Sequence, residues 1–86
     1  MISFNRTILR LQRAYSWQKR ESERPDYVDL RILEKKGLIY LYRDYTIEED
    51  YEVEQGRVIT RPRIRACILM YRGRQLLGIE SQPRTS

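Results

Sequence analysis

The chain has 86 residues, a net charge of +5, 41% hydrophobic and 34% charged residues, and a sequence pI of about 9.7. This length sets a single small domain over residues 1–86 with a core that buries only about 60–65% of the unfolded surface, so a homo-oligomer would gain stability. Seven tyrosines, one tryptophan and one phenylalanine exclude a disordered chain, and no apolar run approaches the roughly 18 residues of a transmembrane segment.

A single cysteine, Cys67, allows no internal disulfide. The opening Met-Ile-Ser-Phe-Asn-Arg lacks the charged region and apolar run of a signal peptide, so a cytoplasmic compartment is expected. The absence of histidine excludes Cys–His and Ser–His nucleophilic chemistry and the common Cys/His zinc sites. Glycines 37, 56, 73 and 78 are isolated and form no phosphate-binding loop. The acidic run Glu48, Glu49, Asp50, Glu52, Glu54 lacks calcium-loop spacing and reads as the solvated flank of a hairpin; exposed as a patch, it would bind a basic partner or mimic nucleic acid. Carboxylate-only catalysis has no residue pattern in its favour. The sequence therefore assigns no catalytic residue, no metal ligand and no cofactor.

Charge is segregated along the chain. Residues 1–25 carry a net +4, residues 26–54 a net −5 and residues 55–86 a net +6. Arginine outnumbers lysine 14 to 3. The bias favours planar guanidinium geometry, or reflects the base composition of the genome. The blocks either form complementary surfaces or neutralise one another within the fold.

Residues 4–24 divide into two faces when wound at about 100° per residue. Phe4, Ile8, Leu11 and Tyr15 form an apolar stripe. Arg6, Arg10, Arg13, Arg20 and Arg24 lie opposite, with Trp17 among them. The pattern predicts an amphipathic helix capped at Ser3 or Asn5 and stopped by Pro25, with the apolar stripe buried and Arg10, Arg13 and Trp17 at least partly exposed. A strand over 7–17, in which Leu9, Leu11, Tyr15 and Trp17 alternate, competes with it but is broken at Arg13.

Asp26 opens a short second helix over Tyr27–Lys36, with Tyr27, Leu30 and Leu33 inward and Lys35-Lys36-Gly37 as its ending. A strand in which Val28, Leu30 and Ile32 alternate is the alternative. After Gly37 the apolar period becomes two, with Ile39 and Leu41 on one face and Tyr40 and Tyr42 on the other. Two hairpins are predicted. One joins residues 51–54 to 57–60 across Gln55-Gly56, and the other joins 65–71 to 74–80 across Arg72-Gly73, with Ile68 opposite Leu77, Ala66 opposite Ile79 and Arg65 opposite Glu80. A longer, bulged loop is an alternative at each. Pro62 marks a bend or edge between them, and 81–86 reads as a frayed tail.

The expected architecture is α+β: an N-terminal amphipathic helix and a short second helix packed on a roughly four-stranded antiparallel β-meander. Two basic elements carry the functional reading. One is the Arg–Trp face of the first helix. The other is Arg57, Arg61, Arg63 and Arg65, of which the last three alternate along a strand and set guanidiniums about 6.5–7 Å apart on one face. Arginine suits phosphate by bidentate donation, and an exposed indole can stack on a base. Tyr40, Tyr42, Tyr45 and Tyr71 could add stacking surface, although cross-strand and core packing is the preferred reading for most of them. Cys67 reads as a small buried hydrophobe.

The sequence thus predicts a non-enzymatic nucleic-acid-binding protein, for DNA or RNA, that contacts the phosphate backbone through Arg6, Arg10, Arg13, Trp17, Arg20, Arg24, Arg61, Arg63 and Arg65. The alternative is an adaptor or assembly subunit that uses the same charge-segregated surface on a protein partner, with Trp17 as its anchor. A third reading lays the first helix on an anionic membrane surface. The bland counterpart is a solvated helix face on which Arg20 and Arg24 pair with Glu21, Glu23 or the acidic middle block.

Overall fold

The computed structural model describes residues 2–79, with side chains from Arg6 onward. The order of elements is α1 (Ile2–Gln18), α2 (Tyr27–Lys35), β1 (Ile39–Glu54), β2 (Arg57–Leu69) and α3 (Tyr71–Leu76). The fold is α+β, with helices and one two-stranded antiparallel sheet among the described residues. The expected frayed tail at 81–86, the Arg65–Glu80 pairing and the burial of Phe4 fall outside the residues or side chains described.

The four-stranded meander is corrected to one long hairpin. The turn at Gln55-Gly56 forms as expected, with Gly56 at φ +76 supplying the left-handed conformation. Tyr51 faces Ile59 and Glu52 faces Val58, and a bulge follows at Val53. The ladder then continues past Pro62 instead of breaking there. Ile39 pairs with Leu69, Tyr40 with Ile68, Leu41 with Cys67 and Tyr42 with Ala66. The strand 39–42, which the sequence pattern places in neither hairpin, is therefore the partner of the arm that the pattern assigns to the second. Pro62 is accommodated where the register jumps, from Asp44 opposite Arg63 to Glu48 opposite Pro62. The three residues looped out of β1 there are steadied by Asp44, which accepts from the Thr46 N–H at 3.0 Å and the Thr46 hydroxyl at 2.6 Å.

With β2 already paired to β1, the second predicted hairpin has no place, and Tyr71–Leu76 winds into α3. Gly73 serves a purpose other than turning a hairpin. It is buried, and a Cβ at this position would collide with the Leu38 carbonyl oxygen. That carbonyl also accepts the Met70 N–H at 2.9 Å, so the chain entering α3 is clamped to the start of β1.

Helix α1 ends six residues earlier than Pro25 would require, and it starts ahead of both predicted caps. Arg20 adopts φ 63, its N–H donates to the Trp17 carbonyl at 2.9 Å, and the Glu21 N–H reaches the Ser16 carbonyl at 2.9 Å. This is the Schellman ending, here with arginine where glycine is usual. The end of α2 is the same motif built conventionally: Gly37 has φ 75, its N–H donates to Glu34 and the Leu38 N–H donates to Leu33. Leu30 and Leu33 are buried as predicted, Tyr27 is half-buried, and Asp26 precedes the helix without a side-chain cap bond.

The buried face of α1 is rotated by roughly 90° from the predicted stripe. Leu11, Ala14 and Trp17 are buried, whereas Ile8 and Tyr15 are only half-buried. The indole carries the largest apolar surface on the helix, and the small Ala14 lets the helix approach the sheet. The core comprises these residues with Leu30, Leu33, Leu38, Ile39, Leu41, Tyr51, Ile64, Cys67 and Leu69. All of the helix packing falls on the sheet face that holds Ile39, Leu41, Ile64, Cys67 and Leu69.

Ion pairs then fix the layers. Arg10 Nε donates to Asp29 Oδ1 at 2.9 Å, joining α1 to α2. Glu34 of α2 takes both η nitrogens of Arg43 at 3.0 Å and Arg31 at 2.6 Å, joining α2 to β1. The Gln18 side-chain oxygen accepts the Leu69 N–H at 2.8 Å, tying the end of α1 to β2.

Candidate functional site

The early end of α1 redirects the chain. Beyond the left-handed turn at Arg20, residues 21–26 run across β2. The result is a concavity of about 400 Å³ lined by Trp17, Arg20, Glu23, Arg24, Glu49, Arg63, Ile64 and Arg65. The two basic elements read separately in the sequence meet here. Of the nine predicted contact residues, five line this concavity, and their roles divide.

Trp17 forms the floor and is only 6% exposed, which corrects its expected role as an exposed stacking or wedge residue. The Arg20 guanidinium lies 5.5 Å from the indole centroid and donates to the Arg65 carbonyl at 3.3 Å. Arg24 is a structural residue. It donates to Glu49 Oε1 at 3.1 Å and Oε2 at 2.7 Å, and to the Ile64 carbonyl at 3.1 Å. The Glu49 hydrogen bonds hold the guanidinium above its ordinary pKa, and Arg24 in turn holds the Glu49 carboxyl below the usual carboxylate range.

Tyr51 completes this latch. Its hydroxyl donates to Glu49 Oε1 at 3.0 Å and accepts the buried Ile64 N–H at 2.8 Å. Its ring stacks on Tyr27 with centroids 4.5 Å apart, and Arg24 lies 5.3 Å from the ring centroid. Burial pushes the Tyr51 phenol above its ordinary pKa. The expectation that Arg24 pairs with the acidic middle block is met by Glu49, which takes both η nitrogens of the guanidinium.

Arg20, Arg63 and Arg65 are exposed and form no ion pair with a carboxylate among the described residues. Arg65 is the extra residue of a bulge between the Tyr42–Ala66 and Arg43–Ile64 pairs, and its guanidinium lies 5.9 Å from the Tyr42 ring centroid. Bulges re-aim side chains in this way. They also break the predicted single arginine face. Arg61 donates to its neighbour's Thr60 carbonyl at 2.8 Å and lines a separate groove with Tyr27, Val28, Val53 and Ile59. On α1, Arg10 is neutralised by Asp29, while Arg6 and Arg13 are exposed and do not line the concavity.

The tyrosines depart from the preferred reading where it placed them in the core, although Tyr40 and Tyr42 lie across from Ile68 and Ala66. Tyr40, Tyr42, Tyr45 and Tyr71 are all exposed, and Tyr51 is the one buried tyrosine among the described residues. With the described helices on one face only, the alternate residues of β1 have no second layer to pack against among the described residues. Cys67 behaves as read: it is buried, its Sγ contacts the Ala14 carbonyl at 3.4 Å, and burial pushes its thiol up to about 11. No described helix is long and apolar enough to cross a membrane. Comparison with protein families, with curated proteins and with solved structures finds no match, so the functional reading rests on the geometry of this chain.

Proposed function

We propose that the chain is a small, non-enzymatic nucleic-acid-binding protein that holds the phosphate backbone of DNA or RNA at Arg20, Arg63 and Arg65. The observation that carries this reading is the convergence of these three exposed guanidiniums, none in an ion pair among the described residues, on one concavity that also holds Glu23 and Glu49. Like charges gathered in this way repel one another, and a polyanion turns that repulsion into attraction. A guanidinium fork can donate two hydrogen bonds to two phosphate oxygens.

Arg20 adds a second argument. A non-glycine residue in the left-handed conformation costs about 1–2 kcal/mol, and this helix end would form more easily with glycine. Arginine there brings to the concavity a charged side chain that glycine lacks, and strained residues cluster at binding sites.

The test is a fluorescence-anisotropy titration of a mixed-sequence oligonucleotide at low salt. Arg63→Gln/Arg65→Gln should weaken binding strongly, and Arg6→Gln/Arg13→Gln, which removes the same charge elsewhere, should weaken it much less. Equal losses from the two pairs would mean that binding follows net charge and has no site. The adaptor reading loses its anchor with Trp17 buried, but it retains one favourable observation, the uncovered outer face of the sheet.

A further inference from the structure

Among the described residues, nothing packs on the outer face of the sheet. On β1, Tyr40 is 52% and Tyr42 40% exposed, with rings in edge-to-face contact at 5.0 Å and 76°. Their cross-strand partners are Ile68, 39% exposed, and Ala66. The result is an exposed aromatic and aliphatic surface in which the two rings are steeply inclined to each other. It is continuous with the basic concavity through one residue, because Arg65 both lines that concavity and lies over the Tyr42 ring. Asp44, opposite Arg63, is hydrogen-bonded by Thr46, and it is held below the usual carboxylate range mainly by those bonds, with smaller contributions from Arg65 and Arg63, which lie beyond ion-pair distance.

We propose that Tyr40 and Tyr42 form a base-stacking platform for single-stranded nucleic acid, whose phosphates are held beside it by Arg63 and Arg65. This rests on the phosphate-binding reading above and narrows its ligand. Every base offers a π face, so aromatic rings bind single strands with little sequence preference. In a duplex those faces are occupied by neighbouring bases and are not open to a side-chain ring. Charge decides between this occupant and a second copy of the chain. Two copies joined by this face would bring two sets of Arg63 and Arg65 onto one interface, a like-charge penalty that a polyanion removes.

The experiment titrates a labelled single-stranded 15-mer of mixed sequence, and the duplex of the same length, against the full chain at low salt. Wild type should bind the single strand about tenfold or more tightly than the duplex. Tyr40→Ala/Tyr42→Ala should lose roughly tenfold or more on the single strand, with duplex binding and salt slope unchanged. Tyr40→Phe/Tyr42→Phe should restore wild-type binding, since stacking needs the ring and not the hydroxyl. Both rings are exposed, so a thermal melt should show the alanine variant folded.

Equal affinity for single strand and duplex, untouched by the alanine pair, would overturn the platform and leave the phosphate site standing. No binding of either nucleic acid at low salt would overturn both. A concentration-dependent dimer in sedimentation that the alanine pair abolishes, with no change in oligonucleotide binding, would overturn the platform and assign the face to a second copy.

Discussion

Replacing Tyr51 by phenylalanine removes one oxygen and leaves the ring, its stacking on Tyr27 and its packing in place. That oxygen is the acceptor for the buried Ile64 N–H at 2.8 Å, and it donates to Glu49 at 3.0 Å. Glu49 keeps its two bonds from Arg24, so the loss falls on Ile64. An amide left buried without a partner costs about 1–3 kcal/mol, because its desolvation is no longer offset. For a domain of this size, each kcal/mol lowers Tm by about 4–8 °C, so the variant should melt some 5–20 °C below wild type. Circular dichroism melts with reversible refolding measure this directly. Tyr45→Phe is the control, since Tyr45 is 76% exposed and its loss should stay within about 0.5 kcal/mol. A Tyr51→Phe variant that melts within about 1 °C of wild type would refute the assignment of the hydroxyl as the latch between β1 and the Ile64 backbone.

Three further outcomes follow from the packing. Gly73→Ala should cost at least about 1–3 kcal/mol in urea denaturation, because its Cβ meets the Leu38 carbonyl and no flexible side chain can yield; an unchanged midpoint would remove the close approach of α3. Cys67 should react with a disulfide reagent at pH 8 only at the rate of unfolding, since a thiol pushed up to about 11 is ionised there to about one part in a thousand; rapid labelling of the native protein would contradict its burial. Glu34 and Glu49 are held below their usual 4.5, mainly by hydrogen bonds from Arg43 and Arg24 respectively. The unfolded chain therefore binds more protons in that window, so the stability from these pairs is complete above about pH 4.5 and is lost as pH falls through the folded values. Glu34→Gln/Glu49→Gln should flatten the acid limb of the urea midpoint, and a variant that tracks wild type between pH 5 and 3 would contradict the assignment.

Local signals were legible where the residue itself sets the backbone. Gly37 and Gly56 both take the left-handed conformation that their neighbours required, and α2 and the Gln55-Gly56 turn formed as read. Strand partnership was not legible. The segment 65–69 suits any apolar partner, and its choice of 39–42 depends on a ladder that runs through the Pro62 irregularity. The end of α1 was hidden because Arg20 gives no helix-stop signal, so the chain appeared to continue to Pro25.

The site was legible in composition but not in assignment. Trp17 fits an aromatic beside arginines equally well in a core and on a binding face, and only the packing of Leu11 and Ala14 against the sheet places it inside. Which arginines remain available depends on where the carboxylates fall. Glu49 claims Arg24 and Asp29 claims Arg10, across 25 and 19 residues of chain that no local pattern spans. The outward tyrosines follow from a sheet covered on one face, where alternate residues of β1 are left exposed.

The central claim is that Arg20, Arg63 and Arg65 hold phosphates, and the salt dependence of oligonucleotide affinity tests it most directly. Each phosphate contact contributes about −0.7 to −0.9 to the slope of log affinity against log salt. Replacing the three residues together as Arg20→Gly/Arg63→Gln/Arg65→Gln should make that slope shallower by about two to three units. The fold should survive, because glycine relieves the left-handed backbone at position 20 and the other two side chains are exposed. A folded triple variant whose slope equals that of wild type would contradict the claim, whatever its affinity.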